Sequence, residues 1–200
     1  MSETRIPSQK RSIKTRNKII EKGFILICKN GYYNTNTSDI AKFANVSTGI
    51  IYQYFNDKKE IFIEGIKNYS EGIMFPILDI LKNNNLDFDN LENLLDKLLT
   101  VFIKTHTLSK KEHEEMIALS HMDDEIQKIF NNKEIETTKI IADALSSHGF
   151  SSKYLFEKVH IIIGIVENYC HEVVYHKHEL INYDIMKQEV IKIITQILKK

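Results

Sequence analysis

An all-α chain in two parts is what this sequence predicts, and three observations carry that expectation. Only two prolines and seven glycines interrupt 200 residues, which favours long helices with little loop. Apolar residues recur at helical spacing in the windows that hold them, and no strand pair emerges. Charge is divided although the net is zero. Up to Lys59 there are eleven Lys/Arg against four Asp/Glu, and an equal negative excess follows. That asymmetry marks a basic head on an acidic body.

Composition bounds the class. Hydrophobic content of 42% and charged content of 27% are ordinary for a globular protein. The two cysteines, Cys28 and Cys170, have neither metal-type spacing nor a disulfide framework, so a cytoplasmic setting is expected. Residues 1–20 are polar and basic, without an apolar signal core. The longest apolar run, "IIIGIV" at Ile161–Val166, is too short to span a bilayer, so no membrane partner is expected.

The elements follow in order. Lys14 to Asn30 places Ile20, Phe24 and Ile27 on one face, with Gly31 as a C-terminal cap. "NTSDIAKFA" opens on Asn36, three residues before Asp39, so a cap and a first-turn acid coincide in a short second helix. It ends at "ANVS". Ser47 or Thr48 caps a third helix, and Asp57 with Glu60 begins a fourth. The fourth runs toward Pro76 past Gly65 and Gly72, which weaken it and make it a place to bend. It is the only rigid connection expected between head and body. Further helices are predicted at about Phe88–Thr107, Lys110–His121, Asp124–Ser147, Ser152–His178 and Tyr183–Lys200.

The stretch "VSTGIIYQYF" is the least ordinary. Its β-branched and aromatic residues have strand propensity. At roughly 100° per residue, however, Ile51 and Phe55 fall on one side of a helix, with Gly49, Tyr52 and Gln53 opposite. As a strand, neither face would be apolar. A short helix, a tight turn and a second capped helix make a helix-turn-helix, with the motif at about 36–55. In that arrangement Thr48 and Gly49 approach base edges and Gln53 can read adenine. Tyr52 and Tyr54 have hydroxyls suited to phosphate oxygens, and Lys58 adds charge at the next helix start. The arm Lys10, Arg11, Lys14, Arg16 and Lys18 is either a solvated tail or a phosphate contact.

Residues 15–62 closely resemble the TetR family of bacterial transcriptional regulators. The matching elements are the Arg-bearing first helix, Gly31-Tyr32, "TNTSDIA", "VSTGIIYQYF" and Lys58. Asn36 and Thr37 stand where Thr and Val are commoner, and Asn45 where Gly often sits; Asn tolerates the left-handed turn. The resemblance implies a head at 12–70 that binds a double-stranded DNA operator. Thr35, Asn36 and Thr37 would contact phosphate from the second helix, and Ser47 would contact DNA from the start of the recognition helix. It also implies a body at 71–200 that dimerises and binds a small-molecule effector.

The body carries no recognisable motif of its own. "KVHIIIGIVENYCHEVV" is apolar on more than one face: Val159, Ile162, Val166, Tyr169 and Val173 mark one stripe, with Ile161 and Ile165 outside it. The last helix has a broad stripe including Ile193 and Ile197. Gly164 permits close helix approach. A homodimer through Ile161, Gly164, Ile165, Ile193 and Ile197 is therefore expected. Phe102, His106, Met116, His121, Phe130 and Tyr169 are candidates to line an effector cavity. His171 and His178 share a face, but His176 does not and nothing fixes a fourth ligand, so no metal is expected. No nucleophile triad, P-loop or dinucleotide signature is present, so neither an enzyme nor a cofactor is expected.

The expected function is a ligand-responsive dimeric regulator, a repressor released from a palindromic operator by its effector. The alternative is a helical small-molecule or partner-binding protein, a nucleoid or division factor included, whose head does not control transcription.

Overall fold

The computed structural model describes residues 7–83, 89–106 and 108–199. Among the described residues there are nine helices: α1 Lys10–Asn30, α2 Thr37–Ala44, α3 Thr48–Tyr54, α4 Lys58–Asn83, α5 Leu91–Thr105, α6 Lys110–Met122, α7 Asp124–Ser147, α8 Leu155–Tyr175 and α9 Tyr183–Lys199. No helix of the described residues is long and apolar enough to cross a membrane.

Helix α1 begins at Lys10, one turn before the predicted Lys14. Its first turn is polar and basic apart from an exposed Ile13, so apolar periodicity could not reveal it. Gln9 makes no side-chain cap, although its carbonyl accepts the Ile13 N–H at 3.0 Å. Helix α4 continues through Pro76 to Asn83 rather than ending there. Helix α8 is shorter than predicted at both ends. Beyond it, the Tyr183 hydroxyl accepts the His178 N–H at 2.7 Å and donates to Glu172 at 3.2 Å. That lateral tie holds His178 outside the helix. The predicted bounds Phe88, Thr107 and Lys200 lie outside the described residues.

The chain forms two compact units. One comprises Met1–Glu71 with Leu108–Gln127, the other Gly72–Thr107 with Lys128–Lys200. The first boundary falls one residue from the expected one. The second difference is larger: α6, expected in the body, belongs to the first unit and packs against α1. Residues 108–127 bring two lysines and six acids, so the first unit is less basic than its N-terminal sequence.

The first unit is built on α1, whose Ile19, Ile20, Phe24 and Ile27 are buried, as are Ile40 and Ala44 of α2, which packs on α1, and Ile61, Phe62 and Ile66 of α4, with the Phe24 and Phe62 rings 5.7 Å apart. Two glycines set the approach. A Cβ on Gly65 would stand 2.4 Å from Phe24 Cβ, and one on Gly23 would stand 2.5 Å from Ile61 Cγ2. Gly65 is therefore a packing position and not a bend. In the second unit α5, α8 and α9 pack together around Leu94, Leu99, Val159, Ile163 and Ile194. Lys187 of α9 bonds Asp96 of α5 at 2.6 Å.

Candidate nucleic-acid interface

Local chemistry fixes where α2 and α3 begin. The Asn36 side chain accepts the Asp39 N–H at 3.0 Å, and the Asp39 carboxylate accepts the Asn36 N–H at 3.1 Å, a complete capping box. The Ser47 hydroxyl accepts the Ile50 N–H at 3.3 Å, so Ser47 and not Thr48 is the cap. Between them Asn45 adopts the left-handed conformation at φ 50°, which an amide side chain tolerates. The Ala41 carbonyl closes the turn on the Val46 N–H at 3.0 Å.

The helix wheel of α3 is realised. Ile51 is fully buried and Phe55, just past the helix, is 1% exposed. Thr48, Gly49, Tyr52 and Gln53 face outward, with Tyr52 53% exposed. A Cβ placed on Gly49 would meet only the Ser47 hydroxyl, at 3.9 Å, so nothing inside the fold demands glycine there. The Tyr52 hydroxyl and Thr37 Oγ1 lie 2.9 Å apart, joining the outer ends of α2 and α3. This bond orients two hydroxyls that were expected to meet phosphate independently. Tyr54 is half-buried beside a hollow of about 560 Å³ that Arg16, Phe55 and Glu64 also line.

Two expected contacts are turned inward. Thr35 is 2% exposed and its hydroxyl donates to the Gly31 carbonyl at 2.9 Å, which withdraws it from any surface partner. Lys58 donates to the carbonyls of Tyr32 and Thr35, the latter at 2.7 Å, and lies 4.2 Å from the centre of the Tyr32 ring. Burial lowers its pKa, with Asp57 opposing. Its ammonium thus closes the α1–α2 turn, where orphaned carbonyls would otherwise need water. Within the basic arm Lys10, Arg11, Lys14 and Lys18 are exposed on α1. Arg16 is different: it pairs with Glu64 at 2.8 Å and covers the Phe55 ring at 5.1 Å.

Sequence reasoning missed the support that α6 gives this unit. Glu115 accepts the Tyr32 N–H at 2.8 Å. Lys59, beside Lys58, pairs with Asp123 and Glu125 at 2.8 Å each. Its hydrogen bonds to those carboxylates raise its pKa, and the ammonium holds Asp123 below the usual carboxylate range. The Ser109–Glu112 capping box announces the start of α6 in the sequence. No local signal announces its packing partner.

The residues suggested for an effector cavity are divided between the units. Met116, buried, and His121, exposed, lie on α6 in the first unit. Phe102, His106, Phe130 and Tyr169 lie in the second. There His106 stands 4.8 Å from Phe102, 5.3 Å from His171 and 6.1 Å from Tyr175, measured between ring centres. Its Nδ1 donates to the Phe102 carbonyl at 2.7 Å. Phe130 is half-buried and Tyr169 is buried. Of the residues suggested for dimerisation, Ile161, Gly164 and Ile193 are exposed and Ile165 and Ile197 half-buried. Among the described residues no three metal-ligating side chains converge.

Comparison with known proteins agrees with this geometry. The model for bacterial regulatory proteins of the tetR family matches residues 19–64, which hold both helices of the motif. The HTH-type transcriptional regulator HbdR of Aromatoleum sp. (strain CIB) is 47% identical over 53 residues, 26% of this chain and 23% of that protein. The fatty acid metabolism regulator protein of Bacillus subtilis (strain 168) is 29% identical over 91 residues, covering 46% and 47% of the two chains. The matches thus span less than half the length of either relative. A candidate TetR-family regulator from Mesorhizobium loti MAFF303099 shares the fold across 96% of both chains, with a TM-score of 0.71 at 17% identity. Residues 19–64 thus match the tetR-family model, and the fold of the chain is that of solved TetR-family regulators.

Proposed function

We propose that the chain regulates transcription by binding duplex DNA as a homodimer, and that it is a repressor released by a small-molecule effector. The observation that carries the DNA-binding part is the outer face of α3. A capped helix start, a glycine with no internal reason, and an exposed Tyr52 and Gln53 stand together on a face held rigid by Ile51 and Phe55. Thr48 and Gln53 are the base readers in this reading, while Asn36, Thr37 and Tyr52 hold the phosphate backbone. The dimer supplies two such faces for a palindromic site, with half-sites about one DNA turn apart. The effector belongs to the second unit, and the resemblance to TetR-family regulators together with chain order supports that assignment. By linkage, effector and operator must weaken each other by the same factor.

Selection from a random-sequence duplex library with the purified protein tests the reading. Recovery of a palindromic sequence, bound more tightly than a scrambled duplex, is the expected result. Thr48→Ala or Gln53→Ala should then relax the preference at individual positions, by about 1–3 kcal/mol where a bidentate contact is lost. Failure to enrich any sequence would overturn sequence-specific DNA binding. A reporter driven from the recovered site distinguishes repression from activation.

A further inference from the structure

Helix α6 is fastened within the first unit by polar contacts at two levels. At its end Asp123 serves three partners: one carboxylate oxygen accepts the N–H groups of Glu125 and Ile126, at 3.1 and 3.2 Å, and the other meets Lys59. Near its middle Glu115 accepts the Tyr32 N–H. That peptide follows Gly31, where α1 stops at φ 96°, and a Cβ on Gly31 would lie 3.4 Å from the same Glu115 oxygen.

The Tyr32 backbone is therefore held on both sides, by Glu115 at its N–H and by Lys58 at its carbonyl. Lys58 also takes the Thr35 carbonyl, and the Thr35 hydroxyl returns to the Gly31 carbonyl. The next residue, Asn36, caps α2. A continuous polar chain thus runs from α6 to the N-terminus of α2, where the positive end of the helix dipole stands. A carboxylate within a DNA-binding unit repels phosphate at long range. Its hydrogen bond to Tyr32 gives Glu115 a role that bulk charge does not.

We infer that Glu115 is a positioning residue for DNA binding: acting through Tyr32, Lys58 and Thr35, it sets the N-terminus of α2 against the phosphate backbone. The inference rests on the DNA-binding reading above. What matters in it is the position of one acceptor oxygen. A glutamine retains that oxygen without the charge. An aspartate retains the charge but falls one methylene short.

The test uses the full chain and the duplex selected from the random library by the wild-type protein, with a scrambled duplex of equal length as reference. Glu115→Asp and Glu115→Ala should bind the selected duplex roughly three- to tenfold more weakly. Glu115→Gln should stay within about twofold of wild type, because its amide oxygen still accepts the Tyr32 N–H. Glu114→Ala removes an equal charge from an exposed position on the same helix and should not weaken binding. Amide exchange should accelerate across residues 31–39 in the Asp variant and keep its wild-type rate in the Gln variant. If Glu115→Ala does not fold, the Gln and Asp variants still decide. Equal duplex affinity for those two overturns the inference, as does normal affinity alongside accelerated exchange. If the wild type selects no duplex at all, the DNA-binding reading fails and carries the inference with it.

Discussion

At the scale of single residues, the direction a side chain takes decides its role. Lys58 occupies a position where a phosphate contact is expected, yet two of its donors are committed to the carbonyls of Tyr32 and Thr35. Removing it by Lys58→Met leaves those carbonyls without their charged partner. Hydrogen bonds to charged groups contribute about 1.5–3 kcal/mol, so urea denaturation should show a loss of that order. The salt dependence of duplex binding should change by less than the unit slope that one lost phosphate contact gives. A full unit with unchanged stability would return Lys58 to the DNA backbone.

His171 gives a second prediction at this scale. Burial first, then the charges of His106 and His176, push its imidazole down to about 4, and burial also lowers His106. An unfolded histidine titrates near 6.5, so between about 6.5 and about 4 the unfolded chain binds more protons than the folded one. Stability therefore rises with pH through this window. The contribution is complete above about 6.5 and is lost as pH falls toward 4, by about 1.4 kcal/mol per pH unit for a single fully shifted group. Denaturation midpoints at pH 7 and pH 5 measure it. His171→Phe should flatten the difference, and an unchanged slope would show that other groups set it.

At the scale of helices, the glycines separate packing from recognition. Gly65→Ala would drive a Cβ into the backbone-proximal atoms of Phe24, including Cβ at 2.4 Å, where no flexible side-chain end can give way. Overpacking of this kind costs about 1–3 kcal/mol. Gly49→Ala meets no such obstacle, and within α3 it should stabilise the free protein by about 0.5–1 kcal/mol through helix propensity. It should nevertheless weaken duplex binding, because the added methyl group stands on the outer face. Melting temperatures and duplex affinities of the two variants should move in opposite senses for Gly49→Ala and both downward for Gly65→Ala. A Gly49→Ala protein that binds duplex normally would remove α3 from the interface.

The same scale shows what the sequence makes legible. The starts of α2, α3 and α6 are readable because capping is completed within four residues: Asn36 with Asp39, Ser47 with the Ile50 N–H, Ser109 with Glu112. The amphipathic face of α3 is readable because Ile51 and Phe55 are buried by periodicity alone. Thr35 and Lys58 were not readable in the same way. Their partners are carbonyls exposed only by the fold of the α1–α2 turn, and a lysine facing inward has the same sequence as one facing out. Helix α6 in the first unit is the extreme case: Glu115 lies 83 residues from its partner Tyr32. Nothing local encodes that distance.

For the whole molecule, chain order alone suggested that α4 is the only rigid connection between head and body. The chain passes between its two units at residues 71–72, 107–108 and 127–128, and both α4 and α7 continue through a crossing without a break. Any effector signal thus has more than one covalent route. The assembled state offers a cleaner prediction. On α8 and α9, Ile161 is 56% exposed and Ile193 44% exposed, while a Cβ on Gly164 would meet nothing within 4 Å. Apolar residues left uncovered beside a side-chain-free position are suited to a second copy of the chain, because an isologous interface presents the same patch twice. Placing a charge there, as Ile161→Asp with Ile193→Asp, would bury carboxylates without partners in such an interface. The variant should sediment as a single chain at concentrations where the wild type sediments as two, with unchanged helical circular dichroism. Affinity for a two-half-site duplex should fall far more than affinity for a single half-site, since only the former draws on both heads. A double variant that remains two chains would place the interface on another face, and a wild type that sediments as one chain would remove the dimer from the proposed mechanism.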